Sequence, residues 1–162
     1  MAAGKFTWYT SGLKYLAMGR LSLDGSVALG GTIKAMPLGQ GYTPNTASHS
    51  ALAQIVANQS TASNTIVNAI TLSSLAVTQS GIDTVKWDAA DLSGFSSDGS
   101  TITSFKWLAI YAESASSGGG VDNLLIGFMD MDTSASDASA GNSTQVNVTW
   151  SASGIGKLRG NP

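Results

Sequence analysis

The chain has 162 residues, no cysteine, 11% charged residues and a net charge of −2. That length suits a single domain with a core large enough to fold without a disulfide or a metal, and the lack of cysteine excludes disulfide frames and thiolate chemistry. Charged residues fall well below the roughly 25% usual in soluble domains, so the surface is mostly Ser, Thr, Asn and Gly, a surface suited to dense packing among neighbours.

In chain order, a short helix is predicted near the start, with Ser11 as its cap and Leu13, Leu16, Ala17 and Leu21 at helical spacing. Gly12 and Gly19 weaken that pattern, and Trp8 and Tyr9 precede it, placed to pack over the first turn. "DGSVALGG" reads as a turn-rich connection, and "TIKAM" as a strand from Thr32 to Met36 closed by Pro37. After the loop "LGQGYTPNTASHS", a second helix is predicted over Ser50 to Asn58, capped by Ser48 or Ser50.

From there the pattern is β. Ile70 and Leu72 share one phase and Leu75 and Val77 the other, which predicts a bulge or break at Ser73-Ser74. "DTVKWDA" sets Val85 and Trp87 against Thr84 and Lys86, and "LSGFSSDGST" reads as a turn cluster. In "TSFKWLAIYAES", Phe105, Trp107, Ala109 and Tyr111 alternate with Lys106, Leu108, Ile110 and Ala112; apolar residues on both faces indicate a central strand. "SASSGGGVDN" reads as a flexible loop, "NLLIGFMDM" as a mostly buried strand, "STQVNVTW" as a clean alternation, and "GIGKL" as a short last strand. The fold expected is mainly β: an antiparallel β-sandwich with one or two short helices in the first third. The organisation expected is one domain over 1–162, with a helical arm at 1–30 and the sandwich at 31–158.

No apolar run approaches 18 residues, so no helical membrane span is expected, and Lys14 interrupts any secretory h-region at the start. The sequons at Asn58, Asn142 and Asn147 read as chance matches in a Ser/Thr-rich chain. Charge is uneven. Residues 1–34 hold Lys5, Lys14, Arg20 and Lys34 against Asp24, residues 83–137 hold nine acids against two lysines, and Lys157 and Arg159 close the chain. Basic ends and an acidic middle mark a possible contact face. No basic stripe interleaves with aromatics, which argues against nucleic acid as a partner.

Sites for chemistry are scarce. Asp130, Asp132 and Ser134 imitate the first ligand positions of an EF-hand loop, but Ala135 and Gly141 stand where that loop needs its glycine and its bidentate glutamate. With Asp137 nearby, the stretch is either a metal loop or a strand end blunted by acids, and the missing ligands favour the strand end. His49 is the only histidine and no nucleophile motif accompanies it, so no catalytic residue, no metal and no cofactor is assigned. "SSGGGVD" lacks the Lys-Ser/Thr of a phosphate loop. Of the four tryptophans, Trp87, Trp107 and Trp150 sit in strand phase and read as core; Trp8 is the one assigned to an interface.

Four stretches, "VKWDAADLSGFS", "FKWLAIYAES", "LLIGFMDMD" and "STQVNVTWSASGIGKL", follow one another in an order and spacing that resembles a group of small tailed-bacteriophage virion structural proteins. "GYTPN" and "TIKAM" look like elements of the same group, so the resemblance spans about residues 13–158. "DGSVALGG" and "QIVANQSTASNTIVNA" depart from it. The resemblance implies a virion component without enzymatic activity: a capsid decoration or cement protein, with the major capsid protein and copies of itself as partners. The alternative is a tail or fibre protein acting as a carbohydrate-binding module on the host surface. It further implies location in the virion, on the capsid surface rather than the tail, after synthesis in the host cytoplasm. Neither nucleic acid nor membrane is expected as a partner. A homo-oligomer is expected, a trimer being one arrangement that fits local threefold positions. The residues expected at the shell contact are Lys5, Trp8, Lys14, Arg20, Lys157 and Arg159.

Overall fold

The computed structural model describes residues 5–26, 32–39, 41–58, 61–62, 65–66, 69–95, 104–113, 123–131, 138–139 and 146–159. It opens with β1 (Phe6–Trp8), α1 (Thr10–Ala17) and β2 (Thr32–Leu38). Two 3₁₀ turns, Leu52–Gln54 and Val56–Asn58, lead to β3 (Thr61–Ala62), β4 (Thr65–Ile66) and β5 (Ile70–Thr71). β6 (Ala76–Gly81), β7 (Thr84–Asp88), β8 (Leu92–Phe95), β9 (Ser104–Phe105) and β10 (Trp107–Glu113) follow. β11 (Leu124–Asp130), β12 (Ala138–Ser139), β13 (Val146–Val148) and β14 (Gly156–Arg159) complete the order. Every pairing among these strands is antiparallel.

The central sheet runs β1-β11-β10-β2-β5. Its two middle strands carry apolar side chains on both faces, as read from the sequence. Leu108, Ile110 and Ala112 enter a larger core with Ile33, Leu124 and Ile126; Ala109 and Tyr111 enter a smaller one with Met36, Leu38 and Leu125. The larger core is closed by Trp87, Leu92, Val148, Trp150 and Ile155, which come from the sheet β14-β7-β6, the pair β13-β8 and the turns beside them. This is the sandwich-like layer. The smaller core is closed by Tyr42 and Ile55 from the 41–58 segment.

A β-bulge adjusts the phase of β11. Ile110 pairs with Gly127 and Tyr111 with Leu125, leaving Ile126 as the extra residue. Ile126 joins the larger core, yet Phe128 joins the smaller one. Asp130 therefore does not share a face with Ile126. The bulge also shapes the sheet edge. β1 pairs with β11 from Gly127 to Met129, then Tyr9 donates its N–H to the Ile126 carbonyl at 3.0 Å, and α1 begins. Strand and helix together cover one edge of β11, which protects it from pairing with foreign chains.

The helix differs from its sequence reading in three ways. It ends at Ala17, with Gly19 at φ +65, so Leu21 lies beyond it and reaches the core from the loop. Leu13 is 40% exposed, and Tyr15 and Leu16 make the core contact instead. Ser11 does not cap: Tyr9 holds the N-cap position, and the Ser11 hydroxyl donates to the Leu125 carbonyl at 3.2 Å. The reason is the seat of Gly12. A Cβ there would stand 2.5 Å from the Ile126 oxygen and 2.8 Å from its Cα. The helix approaches the strand backbone on its glycine, and that approach, not the leucine spacing, fixes its rotation.

Other elements also differ. The second helix is two 3₁₀ turns, and the N–H groups of Ser50 and Ala51 are taken by Gln54 Oε1 at 2.6 and 2.9 Å, not by a serine. β2 runs through Pro37 to Leu38 because β5 pairs only with Lys34 and Ala35, so the proline lies where no second neighbour needs its N–H. "LSGF" is strand β8, not the start of a turn; residues 96–103 lie outside the described residues, as does most of "SASSGGGVDN". The break at Ser73-Ser74 is present, with Ser74 at φ 53. There the chain passes from the central sheet to the second, but Val77 does not return to the core face and is 43% exposed. "DG" in "DGSVALGG" is a turn: Asp24 accepts the Ser22 and Ser26 hydroxyls and, at 2.9 Å, the Ser26 N–H, which hold its carboxyl down at about 2.

The helix seat makes a prediction. Gly12→Ala should gain up to ~1 kcal/mol of helix propensity but force backbone apart, an overpacking cost of about 1–3 kcal/mol. Net loss of thermal stability is expected, whereas Gly41→Ala, with no atom within 4 Å, should change stability by less than ~0.5 kcal/mol. Thermal melts of the two variants check this.

Candidate interaction surface

The first and last strands, β1 and β14, meet. β1 is the last strand of the central sheet and β14 the last strand of the second. They lie on the same side of the sandwich, where the Phe6 ring bridges them. A Cβ on Gly127 would stand 2.1 Å from that ring, and one on Gly156 would stand 2.9 Å from its Cδ1. Phe6 thus sits in a slot made by two missing side chains, one from each sheet. Its ring meets Trp8 edge-on at 4.8 Å and Trp87 edge-on at 5.6 Å, and Trp8 stacks on Trp87 at 6.0 Å. Trp87 Nε1 donates to the Leu23 carbonyl at 2.8 Å, which anchors the cluster.

Beside Phe6 a groove of about 590 Å³ opens between Lys5 and β14. Ser151, Ser153 and Gly154 also line it. Gly154 donates its N–H to the Ser151 carbonyl at 2.8 Å and has φ +79, a tight turn that returns the chain so that the Ile155 N–H reaches the Trp87 carbonyl at 2.8 Å. Lys5, Lys157 and Arg159 are exposed along the groove. Leu158, between the last two, packs on the core. The three ion pairs among the described residues are Lys34–Glu113 at 2.6 Å, Lys86–Asp88 at 2.9 Å and Lys106–Asp130 at 3.8 Å. None of them involves the groove cations.

Of the six residues expected at a contact, three therefore line one groove: Lys5, Lys157 and Arg159. Trp8 is half-buried and stacked on Trp87, so it supports the groove from behind. Lys14 is exposed in the last turn of α1, where a cation suits the helix dipole, and Arg20 is exposed just past the helix. Both lie along the edge that β1 and α1 cover, outside the groove lining.

The acidic stretch resolves in part. Asp130 ends β11, opposite Trp107, within 3.8 Å of Lys106, which places it at a strand end. Asp132 and Asp137 lie outside the described residues. Among the described residues no group of three His, Cys, Asp or Glu side chains is placed to hold a metal. Trp87 and Trp150 are buried, and Trp150 is fixed through Nε1 to the Ala90 carbonyl at 2.8 Å and through its N–H to Asp91 Oδ1 at 2.9 Å. Trp107 is half-buried, edge-on to Phe128 at 5.6 Å.

Sequence reasoning missed a second polar feature, under the central sheet. Tyr9 and Tyr42 are buried and hydrogen-bonded to each other through their hydroxyls, and Tyr42 bonds His49 Nδ1 at 2.9 Å. Nδ1 also receives the Asn45 N–H at 3.3 Å. A nitrogen facing a backbone N–H is the unprotonated one, so Tyr42 donates to His49 and Tyr9 donates to Tyr42. Burial, reinforced by the Tyr42 contact, pushes the Tyr9 hydroxyl well above the usual tyrosine range, and burial also raises Tyr42. No local motif announces this chain; "WYT" and "GYTPN" are joined only by the fold.

Tyr42→Phe should leave the buried Tyr9 hydroxyl without its acceptor and cost about 1–3 kcal/mol; Tyr9→Phe, which removes only the terminal donor, should cost less. Because folding raises the Tyr9 pKa above its unfolded value near 10.0, this contribution is full below pH 10 and falls as pH rises beyond it. Urea titrations across that range should show a steeper alkaline loss in the wild type than in Tyr9→Phe.

A scan against protein-family models finds no match, and searches of curated proteins and of solved structures also find none.

Proposed function

We propose that the chain is a bacteriophage virion structural protein, a decoration or cement protein that binds the outer capsid shell and bridges neighbouring subunits. The observation that carries this reading is the convergence of Lys5, Lys157 and Arg159 from opposite ends of a sparsely charged chain onto one exposed groove. The ordered motif resemblance described above supports it. A shell protein needs a stiff body and a contact face more than it needs chemistry. The two cores, one on each face of the central sheet, serve the first, and the basic edge serves the second.

The mechanism is passive. A specific contact buries roughly 1,200–2,000 Å² in total, and weak contacts repeated around a shell gain strength by multivalency. The partners in this reading are the major capsid protein and further copies of the chain. A carbohydrate-binding tail module would offer aromatic platforms to solvent, whereas Trp8, Trp87, Trp107 and Trp150 are buried or half-buried against neighbouring groups. The first reading is therefore preferred.

On this reading the edge carrying Lys14 and Arg20 also faces the shell. Purified protein should cosediment with heads stripped of accessory proteins, and Lys14→Glu with Arg20→Glu should weaken that binding at least ~10-fold at low salt, with a smaller difference at high salt. Unchanged binding by the double variant would overturn this orientation.

A further inference from the structure

The groove offers more than charge. Among the described residues β14 pairs only with β7, and β1 only with β11, so the outer edges of both strands are unpaired. An unpaired edge is a template for another strand. Here it is flanked by cations, and among the described residues no acid lines the groove. Lys157 and Arg159 stand at alternate positions on the outer face of β14, with Leu158 turned inward. A strand laid against β14 would place its own alternate side chains opposite them, at cross-strand pairing distance of about 4.5–5.5 Å. Its intervening residues would face Phe6 and Ile155, which also line the groove.

We propose that this groove accepts an extended segment of a partner protein by strand addition to β14, and that the segment carries acidic residues at alternate positions with small or apolar residues between them. Main-chain hydrogen bonds to the open edge supply affinity, and the alternating cations set register and sign. Lys5, from the opposite wall, closes over the segment's far side. Ser151 and Ser153 add hydroxyls to the groove lining. The inference stands apart from the capsid reading: it concerns what the groove binds, on whatever particle or partner.

The probe is a labelled peptide of sequence TEVEVET, with TKVKVKT as the charge control and TEPEPET as the control that cannot donate backbone N–H groups at the intervening positions. Fluorescence anisotropy should show binding of the first, weakened at least ~10-fold in the second and third. The same loss is expected in Lys157→Glu with Arg159→Glu; both side chains are exposed, and a melting curve verifies that the variant folds. Hydrogen exchange should slow at amides of residues 156–159 when TEVEVET is bound. Binding of TEPEPET or of a single-stranded oligonucleotide as tight as TEVEVET would show an unspecific cation patch and overturn the proposal. No binding at roughly millimolar peptide, or binding without slowed exchange in β14, would overturn it as well.

Discussion

The structure depends on two neighbouring strands, β10 and β11, being buried on both faces. Once both faces are apolar, neither can be left to water, and the chain must supply two covers. The larger cover is the second sheet with Trp87, joined by β8, β13 and Trp150; the smaller is the irregular 41–58 segment. The Ile126 bulge reconciles this demand with the sheet edge. It switches the phase of β11 halfway, so that Ile126 and Gly127 turn toward the side where Phe6 and α1 sit. The helix seat on Gly12 and the Phe6 slot on Gly127 are both consequences of that one extra residue.

Much of this was legible in the sequence because β strands with apolar residues on both faces leave a plain signature. Residues 107–112 could be read as a central strand and 124–129 as a mostly buried one from their apolar residues on both faces, and the change of phase at Ser73-Ser74 marked where the chain changes sheets. What could not be read were features set by backbone contact. Leu13 looks as apolar as Leu16, and only the approach of Gly12 to Ile126 decides which one is exposed. Pro37 looks like a strand terminator, and only the shortness of β5 lets β2 continue through it. The bulge has no signature of its own, so the side on which Asp130 falls was not available.

The candidate site was half legible for a similar reason. That both ends are basic is visible in the sequence. That Lys5 meets Lys157 and Arg159 while Lys14 and Arg20 stand apart follows from two sheet edges closing on one side, across some 150 positions that no local pattern spans. The tyrosine–histidine chain under the central sheet is the same kind of long-range product. It serves as a polar fastening of the 41–58 cover, since the Tyr9 hydroxyl, the Tyr42 hydroxyl and His49 Nδ1 are bonded in series.

The fold presents two cores on opposite faces of the central sheet and one exposed groove lined by cations, and the proposed reading assigns that groove to contact with a larger assembly. The central claim is that the chain is a shell component of a virion. The most direct test is a search for the chain in purified phage particles, with its copy number measured by quantitative mass spectrometry against the major capsid protein. The account predicts hundreds of copies, in fixed proportion to the capsid subunit. A handful of copies, or none, would contradict it.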